Sequence, residues 1–277
     1  MESPAAMGVV GASVEHTSAA VLAAAVEAAL EAGALLRSGF GSSMVVERKE
    51  GRHNLVTDYD RRAEELILER LRQRFPDSSF WAEEGGASGR YHRGGLRWVV
   101  DPLDGTVNFA HGIPVFCVSI AALLDEELLC GVIYQPMLGE LFTAVRGEGA
   151  WLNGRRLRVS QTAALEDAIL VTGFPYDVAG NPGNCIEHFV RFLRLGLPIR
   201  RLGSAALDLA YVAAGRFDGF WEVALNPWDV AAGIVLVEEA GGRVTHYDGS
   251  PHRLEPRSSI VASNGQIHEQ MLRVLQE

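Results

Sequence analysis

The sequence predicts a layered protein in which an α+β half is followed by an α/β half. Three observations carry that expectation. Between residues 79 and 145, short apolar stretches separated by turn signals read as consecutive strands. From residue 168 onward, strand-like and helix-like stretches alternate. The 277 residues, 48% of them hydrophobic, suffice for a substantial core in one large domain or two of ordinary size. The turn-rich stretch Gly147-Glu148-Gly149-Ala150-Trp151-Leu152-Asn153-Gly154 marks the expected boundary. The expected division is a loose tail over 1–15, a first half over 16–150 and a second half over 151–277.

Taken in order, residues 17–38 are rich in Ala and Leu and stop at Gly39, as a helix does. No Lys or Arg precedes the apolar stretch 19–34, and Glu27 and Glu31 interrupt it. It therefore reads as an amphipathic or core helix rather than a secretory signal. No run reaches the ~18 consecutive apolar residues of a transmembrane helix. Residues 45–49 form a short strand. Thr57 or Asp58 caps a helix over 59–75, with Leu66, Ile67 and Leu71 on one stripe and Pro76 beyond its end. Residues 79–82 and 96–100 are strands, and 115–124, 128–134 and 140–145 form a meander. The meander turns at Asp125-Glu126-Glu127 and Pro136-Met137-Leu138-Gly139. In the second half, 168–172, 199–202, 217–223, 243–246 and 259–262 read as strands. Residues 185–195, 204–214 and 227–240 read as helices, the last opened by Pro227 and closed by Gly241-Gly242.

The formal net charge of −10 argues against sequence-independent binding to nucleic acid or to an anionic membrane. An anionic substrate would need a bound cation beside it. Cys117, Cys130 and Cys185 are odd in number and lack metal-type spacing, which suits reduced thiols in a cytoplasmic protein. Arg155, Arg156 and Arg158 read as a solvated strand face, and His188 and His246 as ordinary polar positions.

Four acidic patches carry the chemistry. They are Thr57-Asp58-Tyr59-Asp60, Trp81-Ala82-Glu83-Glu84, Asp101-Pro102-Leu103-Asp104-Gly105-Thr106 and Trp228-Asp229. In the third, Val99-Val100 ends an apolar strand, and Pro102 and Gly105 predict a tight turn with a carboxylate on each side. Paired carboxylates repel unless a cation lies between them. Carboxylates with a backbone carbonyl, here that of Leu103, are the ligands Mg²⁺ takes. Gly105-Thr106 also opens a short helix, whose free amides suit a phosphate. Each patch alone is equally what a solvated turn, a strand end or a first helical turn provides. Adjacent Glu83 and Glu84 point in different directions, so at most one is a direct ligand.

Together and in this order, these segments resemble the inositol monophosphatase family of Mg²⁺-dependent, lithium-sensitive phosphatases. Asn54-Leu-Val-Thr-Asp-Tyr-Asp60, Gly173-Phe-Pro-Tyr176, Arg201-Leu-Gly-Ser-Ala-Ala-Leu-Asp208 and Ala262-Ser-Asn264 extend the likeness from about residue 17 to the C-terminus. The resemblance implies an αβαβα sandwich of the sugar-phosphatase type, a homodimer, and two or three Mg²⁺ ions per site. By it, Glu83, Asp101 and the Leu103 carbonyl hold a first ion, and Asp101, Asp104 and Asp229 a second. Glu83 shares a third. The Gly105 and Thr106 amides hold the phosphate, and Asp60 with Thr106 orients and deprotonates the attacking water. Glu222 accepts hydrogen bonds from substrate hydroxyls and Ala205 lines the sugar pocket, with Asp104 and Asp229 also facing the substrate. Asp58 is a bystander or a helix cap, and His111 a polar residue at the site mouth.

The activity so implied is hydrolysis of inositol monophosphate or another small polyol phosphate. Sister activities on fructose 1,6-bisphosphate, histidinol phosphate or 3′-phosphoadenosine and NADP compete with it. The Val107-Asn108-Phe109 continuation suits the inositol branch, where the nucleotide and histidinol branches lead one to expect Lys after Asp-Gly-Thr. A place as a protein partner in a transcription complex is the reading from another class; the intact acid set argues that catalysis is retained and leaves such a second role open.

Overall fold

The computed structural model describes residues 17–49 and 54–277. The expected tail over 1–15 lies outside the described residues. Among those residues the chain begins with α1 (Ser18–Gly39), whose N-terminus is capped by the Thr17 hydroxyl accepting from the Ala20 amide. A ribbon of β1 (Val46–Arg48) and β2 (Leu55–Thr57) leads into α2 (Asp58–Arg74). Then come β3 (Ser79–Ala82), β4 (Gly86–Ser88), β5 (Leu96–Asp104), the short α3 (Thr106–Ala110), β6 (Cys117–Leu124), β7 (Glu127–Gln135), β8 (Glu140–Val145), β9 (Gly149–Leu152) and β10 (Arg155–Arg156). They build an eight-stranded sheet in the order β10-β9-β8-β7-β6-β5-β3-β4, antiparallel throughout except where β3 runs parallel to β5.

The second part holds β11 (Leu170–Thr172), α4 (Cys185–Arg194), β12 (Ile199–Arg200), α5 (Ala205–Ala213), β13 (Gly219–Leu225), α6 (Pro227–Glu239), β14 (Arg243–Thr245), β15 (Ser258–Ser263) and α7 (His268–Gln276). Its five-stranded sheet has the order β12-β11-β13-β15-β14. Helices α1 and α2 cover one face of the larger sheet, and α5 and α6 fill the space between the two sheets. Helices α4 and α7 cover the outer face of the smaller sheet. The result is the αβαβα sandwich that the resemblance implies.

Small side chains set the spacing of the layers. α1 turns Ala24, Ala25, Ala28, Ala29 and Ala32 inward, fully or nearly buried, so its backbone lies close to β6 and β7. By length and hydropathy alone α1 would also suit a membrane span, but nearly half of it is buried inside the fold. The exposed pairs Arg70–Glu31 and Arg74–Glu27 link α1 to α2 but are solvent-screened and add little; the apolar face carries the contact.

Two expectations change. The Gly147–Gly154 stretch does not end the first sheet, because it contains β9 and leads into β10. Asn153 and Gly154, with φ of 48° and 78°, form the tight reversal that an Asn-Gly pair favours. The predicted turn between Asp101 and Asp104 is instead continuous strand. β5 runs to Asp104, with a bulge where Asp101 pairs with Ser119 and Asp104 with Cys117. Three residue steps on β5 thus face two on β6. Pro102, which has no amide to give the ladder, sits in the extra length.

Candidate active site

That bulge decides the geometry of the site. In a regular strand, residues three apart point to opposite faces. One extra residue returns Asp104 to the side of Asp101. The parallel pairing of β3 with β5 sets Ala82 opposite Val100, and the Glu83 amide donates to the Val100 carbonyl at 3.1 Å. Glu83 therefore leaves the end of β3 beside Asp101 on β5, close enough for each carboxylate's charge to act on the other. Asp229 arrives from the first turn of α6, across the larger sheet. Trp81 and Trp228, each just before its patch's acid, meet edge to face at 6.3 Å and lock the two segments together.

Each of three aspartates has one oxygen tied to the protein. Asp101 Oδ1 accepts from the Leu103 amide at 3.0 Å. Asp104 Oδ2 accepts from the Ser204 hydroxyl and the Ala206 amide, both at 2.7 Å. Asp229 Oδ2 accepts from the Asn226 amide at 2.7 Å, closing a capping box at the start of α6. Asp60 follows the same plan on α2. Its Oδ2 closes a capping box on the Thr57 amide at 2.8 Å, and its Oδ1 accepts from the Thr106 hydroxyl at 2.8 Å. A capping acid at a helix start is thus the device that aims two of the carboxylates. Asp58 is not the cap; it accepts from the Val45 amide and lies 3.7 Å from Arg62.

Gly105 separates the bulge from α3 and requires glycine. Its φ is 99°, and a Cβ there would lie 2.9 Å from the Val115 carbonyl oxygen. The amides of Gly105 and Thr106 open α3, where helical geometry provides no intrahelical acceptor for them. The Thr106 hydroxyl also lies 3.0 Å from the Leu103 carbonyl, so Asp60, Thr106 and Leu103 form one contact chain. Asn108 donates to the carbonyls of Val115 at 2.7 Å and Leu202 at 2.9 Å, fixing α3 against the loop that leads to Ala205.

Charge is concentrated here. Asp101 is 2% exposed, whereas Glu83, Asp104 and Asp229 are half-buried. Burial holds the Asp101 carboxyl well above its ordinary range, and the charges of Glu83, Asp104 and Asp229 add to the rise. Burial, then Glu83, does the same to Asp229. Burial pushes Asp104 up to about 6, against its donors on α5. Glu222 on β13 is pushed up to about 8 by burial, with Arg201 opposing and Asp104 adding. Gly173 leaves it room, since a Cβ there would stand 2.2 Å from Glu222 Oε2. Asp208, on α5 beside this wall, is buried with its Oδ1 lacking a hydrogen-bond partner.

The donor set suits a hard divalent cation. The acids supply oxygen only, and their like charges oppose one another's ionisation, so a cation among them would relieve the repulsion. As the side chains stand, no three acid, imidazole or thiol groups among the described residues ring a single point. Glu83 is held instead toward the Lys49 ammonium at 2.9 Å, which also pairs with Glu84.

The structure brings together Asp60, Glu83, Asp101, Leu103, Asp104, Gly105, Thr106, Ala205, Glu222 and Asp229. His111 stands exposed at the end of α3, Arg155 and Arg156 lie exposed on β10, and all three cysteines are buried. Sequence reasoning missed Lys49, Glu64 and Ser204. Glu64 left a trace, four residues after Asp60 on the same helix face, and Ser204 another, inside the Arg201–Asp208 segment.

A family model described as the inositol monophosphatase family matches residues 18–277. The inositol-1-monophosphatase of a Synechocystis species is 47% identical over 91% of this chain and 87% of its own length. The fructose-1,6-bisphosphatase/inositol-1-monophosphatase of Thermotoga maritima is 41% identical over 88% of this chain and 91% of its own. Among solved structures, the extragenic suppressor protein suhB from Bartonella henselae superposes with a TM-score of 0.87. It is 42% identical over 93% of this chain and 99% of that one. Agreement in sequence over nearly the whole length, and in fold, leads to one conclusion: this chain belongs to the inositol monophosphatase family.

Proposed function

We propose that this chain hydrolyses inositol monophosphate, or a closely related small polyol phosphate, with Mg²⁺ in the acid cluster. The observation that carries the reading is the convergence of Glu83, Asp101, Asp104 and Asp229 from three separate segments beside the start of α3. Each of the three aspartates has one oxygen fixed by a protein donor and the other left for a cation. Glu83, Asp101, Asp104, Asp229 and the Leu103 carbonyl would hold two or three Mg²⁺ ions. Such ions neutralise the phosphate dianion, lower the pKa of bound water and stabilise the departing alkoxide. Asp60, joined to Thr106, holds the attacking water and takes its proton. The Gly105 and Thr106 amides receive the phosphate, while Ala205 and Glu222 form the wall met by the alcohol.

The chemistry needs no nucleophilic side chain. Cys117 lies 3.9 Å from Asp104, but burial and that neighbouring carboxylate keep its thiol protonated, so it does not compete with water. The name of the Thermotoga maritima relative couples two substrates, and fructose 1,6-bisphosphate is therefore the second reading.

A substrate panel separates the two at fixed Mg²⁺. We expect the highest kcat/KM with inositol 1-phosphate; a higher value with fructose 1,6-bisphosphate would overturn the first reading in favour of the second. Glu222→Leu sharpens the test, because it keeps the side-chain bulk and removes all hydrogen bonding. It should reduce kcat/KM for inositol 1-phosphate by about 10- to 100-fold, the loss of one or two substrate hydrogen bonds. p-Nitrophenyl phosphate, which offers no vicinal hydroxyls, should be turned over nearly as before. Equal losses on both would place Glu222 in the support of the fold or the cluster rather than in the pocket.

A further inference from the structure

Glu64 lies one turn beyond Asp60 on α2 and is 5% exposed. Its two oxygens accept from two consecutive amides, Oε2 from Glu84 at 2.8 Å and Oε1 from Gly85 at 2.7 Å. Those amides belong to the turn by which the chain leaves β3 immediately after Glu83. The Glu83 amide itself is held by the Val100 carbonyl on β5. Three successive amides are thus fixed, one by the neighbouring strand and two by a single carboxylate on a helix. From the other side, Lys49 bonds the side chains of Glu83 and Glu84.

A carboxylate in this position costs free energy to bury, and only donors matched to both of its oxygens offset that cost. The match here is specific, since each of the two oxygens has its own amide donor. The same helix face delivers Asp60 to Thr106. One rigid element therefore sets both the proposed water-orienting acid and the backbone that aims Glu83.

We propose that Glu64 is a positioning residue for the cation site: it fixes the Glu83–Gly85 turn so that Glu83 stands beside Asp101. The inference rests on the reading of the acid cluster as a Mg²⁺ site. Glu64 touches neither cation nor substrate. Its effect should appear in cation affinity more than in the chemical step, as is usual for groups that orient a metal ligand.

The test uses the full-length protein stripped of metal. Mg²⁺ binding is measured by calorimetry, and the half-activating Mg²⁺ concentration by phosphate release. In Glu64→Gln one acceptor oxygen becomes an NH₂ that confronts a backbone amide. We expect the dissociation constant for Mg²⁺ and the half-activating concentration to rise about tenfold together, with kcat at saturating Mg²⁺ falling by less. Glu64→Asp keeps the charge but cannot reach both amides, and should give a smaller rise in the same direction. It also serves if the Gln variant does not fold. A lower melting temperature with both Mg²⁺ constants unchanged in the folded variants would overturn the proposal and leave Glu64 a purely structural acid. A wild-type protein that binds no Mg²⁺ would fail differently, sinking the cluster reading itself and the inference with it.

Discussion

Replacing Asp101, Asp104 or Asp229 singly by Asn should lower kcat on inositol 1-phosphate by at least about 10²-fold, the scale of losing one preorganised electrostatic element. The expectation follows from how each residue is held. Asn keeps an oxygen where the Leu103 amide, the Ser204 hydroxyl with the Ala206 amide, or the Asn226 amide donates. The bulge, the start of α5 and the capping box of α6 should therefore survive. What is lost is negative charge in a cluster where burial and like charge already disfavour it. In excess chelator the Asn variants should melt at the wild-type temperature or above it, because mutual repulsion is relieved. Rates and melting curves on the same preparations check both halves. A near-normal rate for Asp229→Asn would reduce that residue to a helix-start acid.

Asp60→Asn should cost about 10²- to 10⁴-fold in kcat, the usual span for a general base, with Mg²⁺ affinity changed far less. Asp60 is fully buried, and burial pushes its carboxyl up to about 6 while Thr57 and Thr106 pull it down. A base acts only when ionised, so activity should fall as pH drops through the carboxyl's pKa. Cations bound nearby favour the ionised form and shift that pKa down. The acid limb of kcat/KM should therefore lie at or below about pH 6 and disappear in Asp60→Asn. Thr106→Ala should be nearly as damaging, and the double variant little worse than Asp60→Asn, because the two act as one unit. An acid limb that persists unchanged in Asp60→Asn would assign the proton to another group.

Most of this architecture was legible in the sequence, for identifiable reasons. The helices and the meander follow apolar periodicity, and the strands over Ser79–Ala82 and Glu140–Val145 fall where expected. The acid segments are short-range patterns, readable without the fold. The pairing is not, because it depends on contacts between distant segments. Asp101 and Asp104 read as two sides of a turn, since a bulge is defined by the partner strand and Cys117 and Ser119 lie far along the chain. Residues 147–154 read as a boundary because Gly147, Gly149 and Gly154 are turn signals, whereas Asn153-Gly154 in fact turns β9 back into β10 of the same sheet. α7 is a single short helix, and its buried face, Met271, Leu272 and Leu275, spans too few turns to set a clear helical period in the sequence. Lys49 and Glu64 carried no motif, and Ser204 lay inside the Arg201–Asp208 segment without a role of its own. A lysine in a charged ribbon, a glutamate among many on a helix and a serine before a helix become specific only through what they touch.

The central claim is that cations held by Glu83, Asp101, Asp104 and Asp229 make this chain a phosphatase for a small polyol phosphate. Its most direct test is the rate of phosphate release from inositol 1-phosphate by metal-free wild-type protein, followed as Mg²⁺ is added. The account predicts no measurable release in excess chelator and a saturable return of activity with Mg²⁺. Full activity with chelator present, before any Mg²⁺ is added, would contradict it.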